Sequence, residues 1–480
     1  MPMKPIILAS ILLVGLVISV ACLEADPTSR PTASPTATAA PAPASLTATP
    51  APASTPPLTP HPVATTVPAT SIAQTPEEAQ LPAATPTTTA NADADEPDNG
   101  SDQGQAQQEP AEDPDAPSDI AENQDNVVPE GSILSVLPEC AGHVFTVPPI
   151  DINEVYEITP LGNIGPPGHT VPTEHMYFHI SAGGVSNRKV PLLAPGEIYI
   201  LQVSGGEDVS QGEFSMIFAL CQDVFGYFGH IKALSDELKG VVADVECEQW
   251  TTNPGNICAR NLFLKVAPGT VLGSVGDLQG NFDFGAFDYR TKLEYANPWQ
   301  YGDPEASGLS RPRSLHIVCP LDLYEIETRT ELYDKLPRTV APECGQVMQD
   351  KAGTLQGNWF LQGAAGGRGD NAVFFGYDNI DPNLGIVSVG GVFTEPGKME
   401  FTPTDSGLRN RRFDEVTVDG QVYCYERDGT GRSESYTEPG SLLEGHVLVR
   451  LNRDTEIQIE HQAGGCPANP GLQNPSIYTR

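Results

Sequence analysis

A low-complexity tract between residues 23 and 127 limits what this 480-residue chain can fold into. Residues 23–75 are almost wholly Ala, Thr, Pro and Ser, and residues 76–124 are acidic and rich in Gln. Neither part contains an aromatic residue. Such a composition buries too little apolar surface to offset the entropy lost on ordering, so we expect a disordered, extended coil with polyproline character. The folded structure is therefore expected after residue 127.

The segment before this tract, residues 1–22, has the pattern of an export signal. Lys4 is followed by an apolar stretch from Ile6 to Val20, which is shorter than the roughly 20 residues of a membrane-spanning helix. Small residues then precede Cys22, as in a lipobox, where the cysteine thiol receives a lipid. Ser19 stands where a lipobox usually has Leu, so simple secretion and a retained membrane anchor remain alternatives. We expect lipidation at Cys22 and attachment to the outer face of the cell membrane.

The cysteine count agrees with a lipid on Cys22. The chain has nine cysteines, and lipidation of one leaves eight, an even number that suggests four disulfides outside the cytoplasm. No two cysteines have the CxxC spacing of a zinc knuckle. Spacing favours the pairs Cys247–Cys258 and Cys319–Cys344 as short loops, Cys424–Cys466 as a staple of the last segment, and Cys140–Cys221 as the remainder.

The net charge of −36 argues against a nucleic-acid partner, because phosphate binding needs basic patches. Much of the acidic charge lies in the tract at 23–127, where it keeps the chain solvated. We call this tract the tether, and we expect it to lift the folded part away from the membrane and through a wall layer.

Strand-length apolar runs separated by turn signals dominate the rest of the chain, so the fold is predicted to be mostly β. We expect one β-rich domain at 128–345, a small antiparallel sheet or barrel at 346–470, and a tail at 471–480. Helical character is convincing only in "HIKALSDELKGVVADVE". The runs in the first domain include "EHMYFHIS", "EIYILQVS", "FSMIFALC" and "FDFGAFDY", and those in the second include "NAVFFGYDN", "HVLVRLN" and "TEIQIEH".

Three segments carry a resemblance to a known family. They are "PLGNIGPPGHTVPTEHMYFHI", "VFGYFGHIKALSDEL" and "LKVAPGTVLGSVGDLQGNFDFGAFDYR". Their order resembles the lysostaphin/LytM-type zinc peptidases, whose duplicated hybrid-motif barrel cuts peptidoglycan cross-links. His169 matches the family's first zinc histidine, Tyr227–Ile231 matches its "YxHL" segment, and Pro268–Gly276 matches its glycine hairpin. The resemblance covers about residues 150–290 and implies a peptidase-like β-barrel or sandwich.

The match departs from the family at positions that carry its chemistry. Asn281–Phe284 stands where His-x-His-Phe is expected, and Thr173 takes the place of a ligating Asp, with Glu174 one residue further on. Asp283 could still bind a metal, but Asn281 cannot serve as a general base. Alternate residues of a strand share a face, so Asn281 and Asp283 should both point inward, with Phe282 and Phe284 packed behind them.

A catalytic zinc needs three protein ligands and an open water position. The candidate ligands are His169, His175, His230 and Asp283, with Glu174 as the candidate base. His179 lies about 13 Å along the strand from His175, so the two cannot share one ion. For His230, a role as a core histidine is favoured over a ligand role.

We therefore predict a non-catalytic peptidase-like domain that binds a cell-wall peptide or glycan, or an envelope protein. The alternative is a divergent zinc metallopeptidase that acts on peptidoglycan cross-link peptides.

Overall fold

The computed structural model describes residues 133–140, 145–182, 184, 186–250, 257–277, 279–364, 369–430 and 442–480. The predicted signal peptide, Cys22 and the tether lie outside these residues. The described residues contain two large hydrophobic cores, one between 137 and 347 and one between 355 and 478. All of them fall within one compact unit, Gln107–Arg480.

Most regular structure is extended, as the predicted fold class requires. The strands of the first region are β1 (Glu157–Thr159), β2 (Met176–His179), β3 (Val190–Leu193), β4 (Ile198–Gly205), β5 (Phe214–Ala219), β6 (Val224–Ile231), β7 (Ala233–Leu234), β8 (Glu248–Trp250), β9 (Ile257–Val266), β10 (Val271–Val275), β11 (Asn281–Asp288) and β12 (Ile317–Val318). Those of the second are β13 (Gly357–Leu361), β14 (Ala372–Tyr377), β15 (Gly385–Val389), β16 (Gly397–Phe401), β17 (Tyr423–Glu426), β18 (His446–Arg453), β19 (Glu456–Gln462) and β20 (Ser476–Thr479).

The helices are short. The α-helices are α1 (Asp236–Ala243) and α2 (Ile326–Tyr333), and the 3₁₀ helices are Ile133–Ser135, Ile152–Glu154, Pro298–Tyr301, Gly308–Ser310, Arg313–Leu315, Pro320–Leu323 and Phe413–Glu415.

Nine of the described strands form one antiparallel sheet, in the order β1-β2-β11-β6-β5-β4-β9-β8 with β12 beside β11. On β11, Phe282 and Phe284 are fully buried against Phe178 of β2. Asp283 lies between them in sequence and pairs in register with Tyr177, on the opposite face. The predicted alternation of this strand is therefore confirmed. A smaller sheet, β3-β10-β7, packs beside it.

The second region is a barrel-like sheet in the order β16-β15-β14-β13-β20-β19-β18-β17. The end strands β16 and β17 lie next to each other, so the sheet is nearly closed. Trp359, Tyr425 and Tyr478 are fully buried inside it. Strand β20 lies between β13 and β19, so the prediction of a tail at 471–480 was wrong. This four-residue strand has too little apolar pattern to be recognised without its neighbours.

The helix prediction was right in part. Only Asp236–Ala243 is helical, and the preceding residues belong to β6 and β7. Ser235 begins the helix because its side chain accepts a hydrogen bond from the Leu238 N–H, and the acidic residues Asp236 and Glu237 favour its first turn. Helix α2 was not predicted.

Four disulfides join the pairs Cys140–Cys221, Cys247–Cys258, Cys319–Cys344 and Cys424–Cys466, the same pairs that the spacing favoured. Such bonds restrict the unfolded chain and persist in oxidising compartments. They indicate an extracytoplasmic protein. Within the described ranges, no helix combines the length and apolar character needed to cross a membrane.

Candidate functional site

A loop of the first region carries His169 to the open face of the large sheet. Gly165 and His169 exchange two backbone hydrogen bonds of 3.0 and 2.9 Å, which close a tight turn. Gly162 has φ +87°, and a Cβ there would lie 2.2 Å from the Gln346 carbonyl oxygen. Glycine is therefore required where the loop leaves the sheet, and this close approach fixes the loop against the chain near Gln346.

The structure brings the four predicted ligands together, and we call His169, His175, His230 and Asp283 the His–Asp cluster. Asp283 Oδ2 lies 3.4 Å from His230 Nε2 and 3.6 Å from His175 Nε2. The His169 and His175 ring centroids are 5.4 Å apart.

Register explains why Asp283 fits at this point. Asp283 of β11 pairs with Gly229 of β6, where a Cβ would come within 2.7 Å of Asp283 Oδ2. The carboxylate therefore occupies space that only a glycine on the neighbouring strand leaves open. In the same way, Gly285 leaves room for the Tyr227 ring, because a Cβ at Gly285 would lie 2.2 Å from it.

Tyr227 belongs to the site, although the sequence indicated it only as part of the "YxHL" match. Its hydroxyl lies 2.5 Å from His175 Nδ1. The Tyr177 ring also lies next to the His175 ring, with the centroids 4.9 Å apart. Tyr227 and Tyr177 thus hold the His175 ring in place. The alternation of β2 and β6 could have revealed both tyrosines, because they share the face of Asp283.

The position of His230 differs from the one expected from the sequence. This residue was expected to be a core histidine, but its side chain keeps 30% of its exposure. His230 has φ 60° at the end of β6, and its side chain lies between Asp283 and Glu213. The Glu213 carboxylate contacts both His230 Nδ1 and Lys232 Nζ. Glu213 was missed because its place depends on an irregular register between β5 and β6.

His179 behaves as predicted for the histidine outside the site. Its Nε2 lies 2.8 Å from Thr159 Oγ1 on the neighbouring strand β1, so it is a cross-strand partner. Burial lowers the pKa of His179 to about 4.

Burial sets the charges of the cluster. It lowers the pKa of His175 to about 3, with further lowering by His169 and His230, so this imidazole is neutral at pH 7. Burial raises the pKa of Asp283 to about 6, against an opposing effect of His230. Burial also raises the pKa of Glu213, but hydrogen bonds from Lys232 and His230 outweigh it, and the net shift is downward.

Two atoms of the cluster have unused hydrogen-bonding capacity. His175 Nε2 and Asp283 Oδ1 are buried and have no hydrogen-bond partner. Native proteins satisfy most buried polar groups, so such pairs of atoms commonly mark functional sites.

Two polar residues near the cluster contact the backbone or a neighbouring strand. The Thr173 hydroxyl donates to the His175 carbonyl oxygen at 3.3 Å. Asn281 pairs in register with His179. Among the residues that the structure describes, no three His, Cys, Asp or Glu side chains are arranged to hold a metal ion.

Two openings lie beside the cluster. The first, which we call the His cleft, has a volume of about 310 Å³ and is lined by Gly168, His169, Val171, Pro172, Thr173, Glu174, His175, Tyr227 and Gly369. The second, the Arg groove, has about 560 Å³, and its polar lining includes Gln202, Ser204, Ser215, Arg311, Arg313 and Ser314. Glu174 and Tyr227 line both. Glu174, the candidate base, thus lies in the cleft wall between the two openings.

No protein-family model, curated protein or solved structure matches this chain.

Proposed function

We propose that this chain is an exported lipoprotein, anchored through Cys22, whose His cleft binds a cell-wall peptide without cleaving it. The observation that carries the proposal is the buried Asp283 carboxylate between two imidazoles at the side of an open cleft. His175 lines this cleft, and its buried Nε2 and the buried Asp283 Oδ1 have no hydrogen-bond partner.

The resemblance to the LytM-type peptidases supports the choice of ligand. Asp283 lies on β11, between β2 and β6, where His230 of β6 approaches it, and the His169 ring lies near His175. The order of these segments resembles the order in which that family, which cuts peptidoglycan cross-links, supplies its zinc ligands. Thr173 and Asn281 replace a ligand and a base of that family, which favours binding over hydrolysis.

Anchoring is proposed from the sequence and agrees with the disulfides. Four disulfides require an oxidising compartment, and the signal pattern ending at Cys22 leads there. A lipid at Cys22 and the tether would let the folded part reach the wall layer. A single acyl chain binds membranes weakly, so two or more chains are expected.

The test places a tryptophan side chain in the His cleft, at a position where the fold has room for it. Gly168 lines the His cleft, and a Cβ there meets nothing within 4 Å. The purified full chain should co-sediment with insoluble peptidoglycan, and Gly168→Trp should reduce the bound fraction at least tenfold. Gly240→Trp adds the same exposed ring on α1, where a Cβ also meets nothing within 4 Å, and should bind like the original chain.

Failure of the unmodified chain to sediment would overturn the proposal. So would equal binding by the two tryptophan variants, because the ligand would then lie elsewhere. Stoichiometric zinc in the purified chain, lost in His169→Ala, would instead favour the divergent zinc metallopeptidase.

A further inference from the structure

The Arg groove contains two arginines whose guanidinium groups lie on aromatic rings. The Arg311 guanidinium carbon is 3.6 Å from the Tyr289 ring centroid, and that of Arg313 is 5.5 Å from the Phe287 centroid. Arg311 Nε also donates to the Gly308 carbonyl oxygen at 2.9 Å. Arg313 also has a side-chain hydrogen bond with Tyr289. Cation–π contacts of this kind orient the guanidinium plane, and a guanidinium has five N–H donors, more than these contacts use.

Neither arginine pairs with a carboxylate of the described residues. Other arginines do pair, such as Arg290 with Asp288 at 2.7 Å and Arg411 with Glu415 at 2.7 Å. The groove lining contains these two arginines and one carboxylate, Glu174, in a chain with 62 acidic and 26 basic residues. Because neither guanidinium group has a carboxylate partner in the part of the chain that the structure describes, an anionic group is the ligand that they favour.

The rest of the groove suits a peptide. Gln202 donates to Asn261 Oδ1 at 2.8 Å, and the Ser204 hydroxyl donates to Gln202 Oε1 at 3.3 Å, which orients a row of polar groups along the sheet face. Ile217 and Phe287 add apolar surface beside them. Alternating polar and apolar surface of this kind accommodates a peptide backbone with its side chains.

The groove meets the His cleft at Glu174 and Tyr227. A peptide that occupies the cleft can therefore continue into the groove and end at the arginines. We propose that Arg311 and Arg313 bind a carboxylate of the wall peptide, a specificity that rests on the proposed function and adds the ligand's charge to it. Guanidinium groups bind carboxylates through two parallel hydrogen bonds, which gives the contact its selectivity.

The experiment compares two forms of one probe on the full chain. The probe is a cell-wall stem peptide made with either a free C-terminal carboxylate or a C-terminal amide, and binding is measured by calorimetry. The carboxylate form should bind about tenfold to a hundredfold more tightly than the amide, as expected for hydrogen bonds to a charged group. Arg313→Gln should abolish this difference, because the affinity for the carboxylate form should fall to that for the amide form.

Two further variants keep the test specific. Arg453→Gln removes an exposed arginine of the barrel-like sheet and should preserve the preference for the carboxylate. Arg313→Lys keeps the charge but not the two parallel bonds, and should keep only part of the preference. An unchanged melting temperature in each variant shows that the fold is intact.

Equal affinity of the original chain for both peptides would overturn the inference, as would an Arg313→Gln variant that still prefers the carboxylate. In either case co-sedimentation with peptidoglycan would leave the proposed function standing. Loss of both peptide binding and co-sedimentation would overturn the two together.

Discussion

The large sheet and the barrel-like sheet each contain a buried carboxylate, and the two carboxylates have different partners. In the barrel-like sheet, Glu400 is 5% exposed and its Oε1 lies 3.0 Å from Lys398 Nζ, which is equally buried. In the large sheet, Asp283 is 7% exposed and faces two imidazoles, of which His175 is neutral at pH 7. Burying a charge is costly unless it is paired. The Glu400 carboxylate is thus compensated within the fold, whereas Asp283 Oδ1 has no hydrogen-bond partner.

The largest change in the free energy of unfolding is expected from a substitution in the barrel-like sheet. Lys398→Met removes the cation beside buried Glu400, and should lower the free energy of unfolding by about 3 kcal/mol or more, as for other broken buried pairs. Denaturant unfolding measures this. The double variant Lys398→Met, Glu400→Leu should recover most of the loss. A loss below about 1 kcal/mol would contradict the claim that this pair is compensated internally.

In the large sheet, His175→Gln should reduce sensitivity to acid. His175 has a pKa of about 3, against an ordinary value of 6.5, so the unfolded chain binds a proton in this window that the folded chain does not. Stability is therefore lost as the pH falls from 6.5. Between pH 7 and pH 4 the variant should lose less stability than the original chain, by on the order of 3 kcal/mol. Parallel pH profiles would contradict the burial of a neutral imidazole.

The smallest expected effect is a gain in stability on substitution of Asp283. The Asp283 pKa of about 6 exceeds its ordinary 3.8, so the folded carboxyl keeps a proton that the unfolded one has released, and stability falls as the pH rises through this window. Asp283→Asn should remove this loss and stabilise the chain by at most about 3 kcal/mol at pH 7. Unfolding at pH 7 and pH 4 measures it. Destabilisation at pH 7 would show that Asp283 is compensated like Glu400.

Several features of the fold and of the site could be predicted from residue patterns in the sequence. The alternation of Phe282, Asp283 and Phe284 predicts that Asp283 lies on the face opposite the two phenylalanines, and the cysteine spacing favours the four observed bonds. The candidate ligands also meet as expected, because β2, β6 and β11 are neighbours.

Contacts that depend on register could not be predicted. Glu213 reaches His230 through an irregular pairing of β5 and β6, and no local pattern encodes such a shift. The Arg groove combines β4, β5 and a segment near 311, which come together only in the folded chain. Strand β20 likewise depends on its neighbours β13 and β19 rather than on its own four residues.

The central claim is that the site binds a wall peptide without cleaving it. The most direct measurement is mass spectrometry of the soluble fraction after the purified full chain is incubated with peptidoglycan, with added zinc and without it. The account predicts that the chain is recovered on the insoluble wall and that no soluble fragments are released above a protein-free control. Release of cross-link fragments that depends on zinc and on His169 would contradict it.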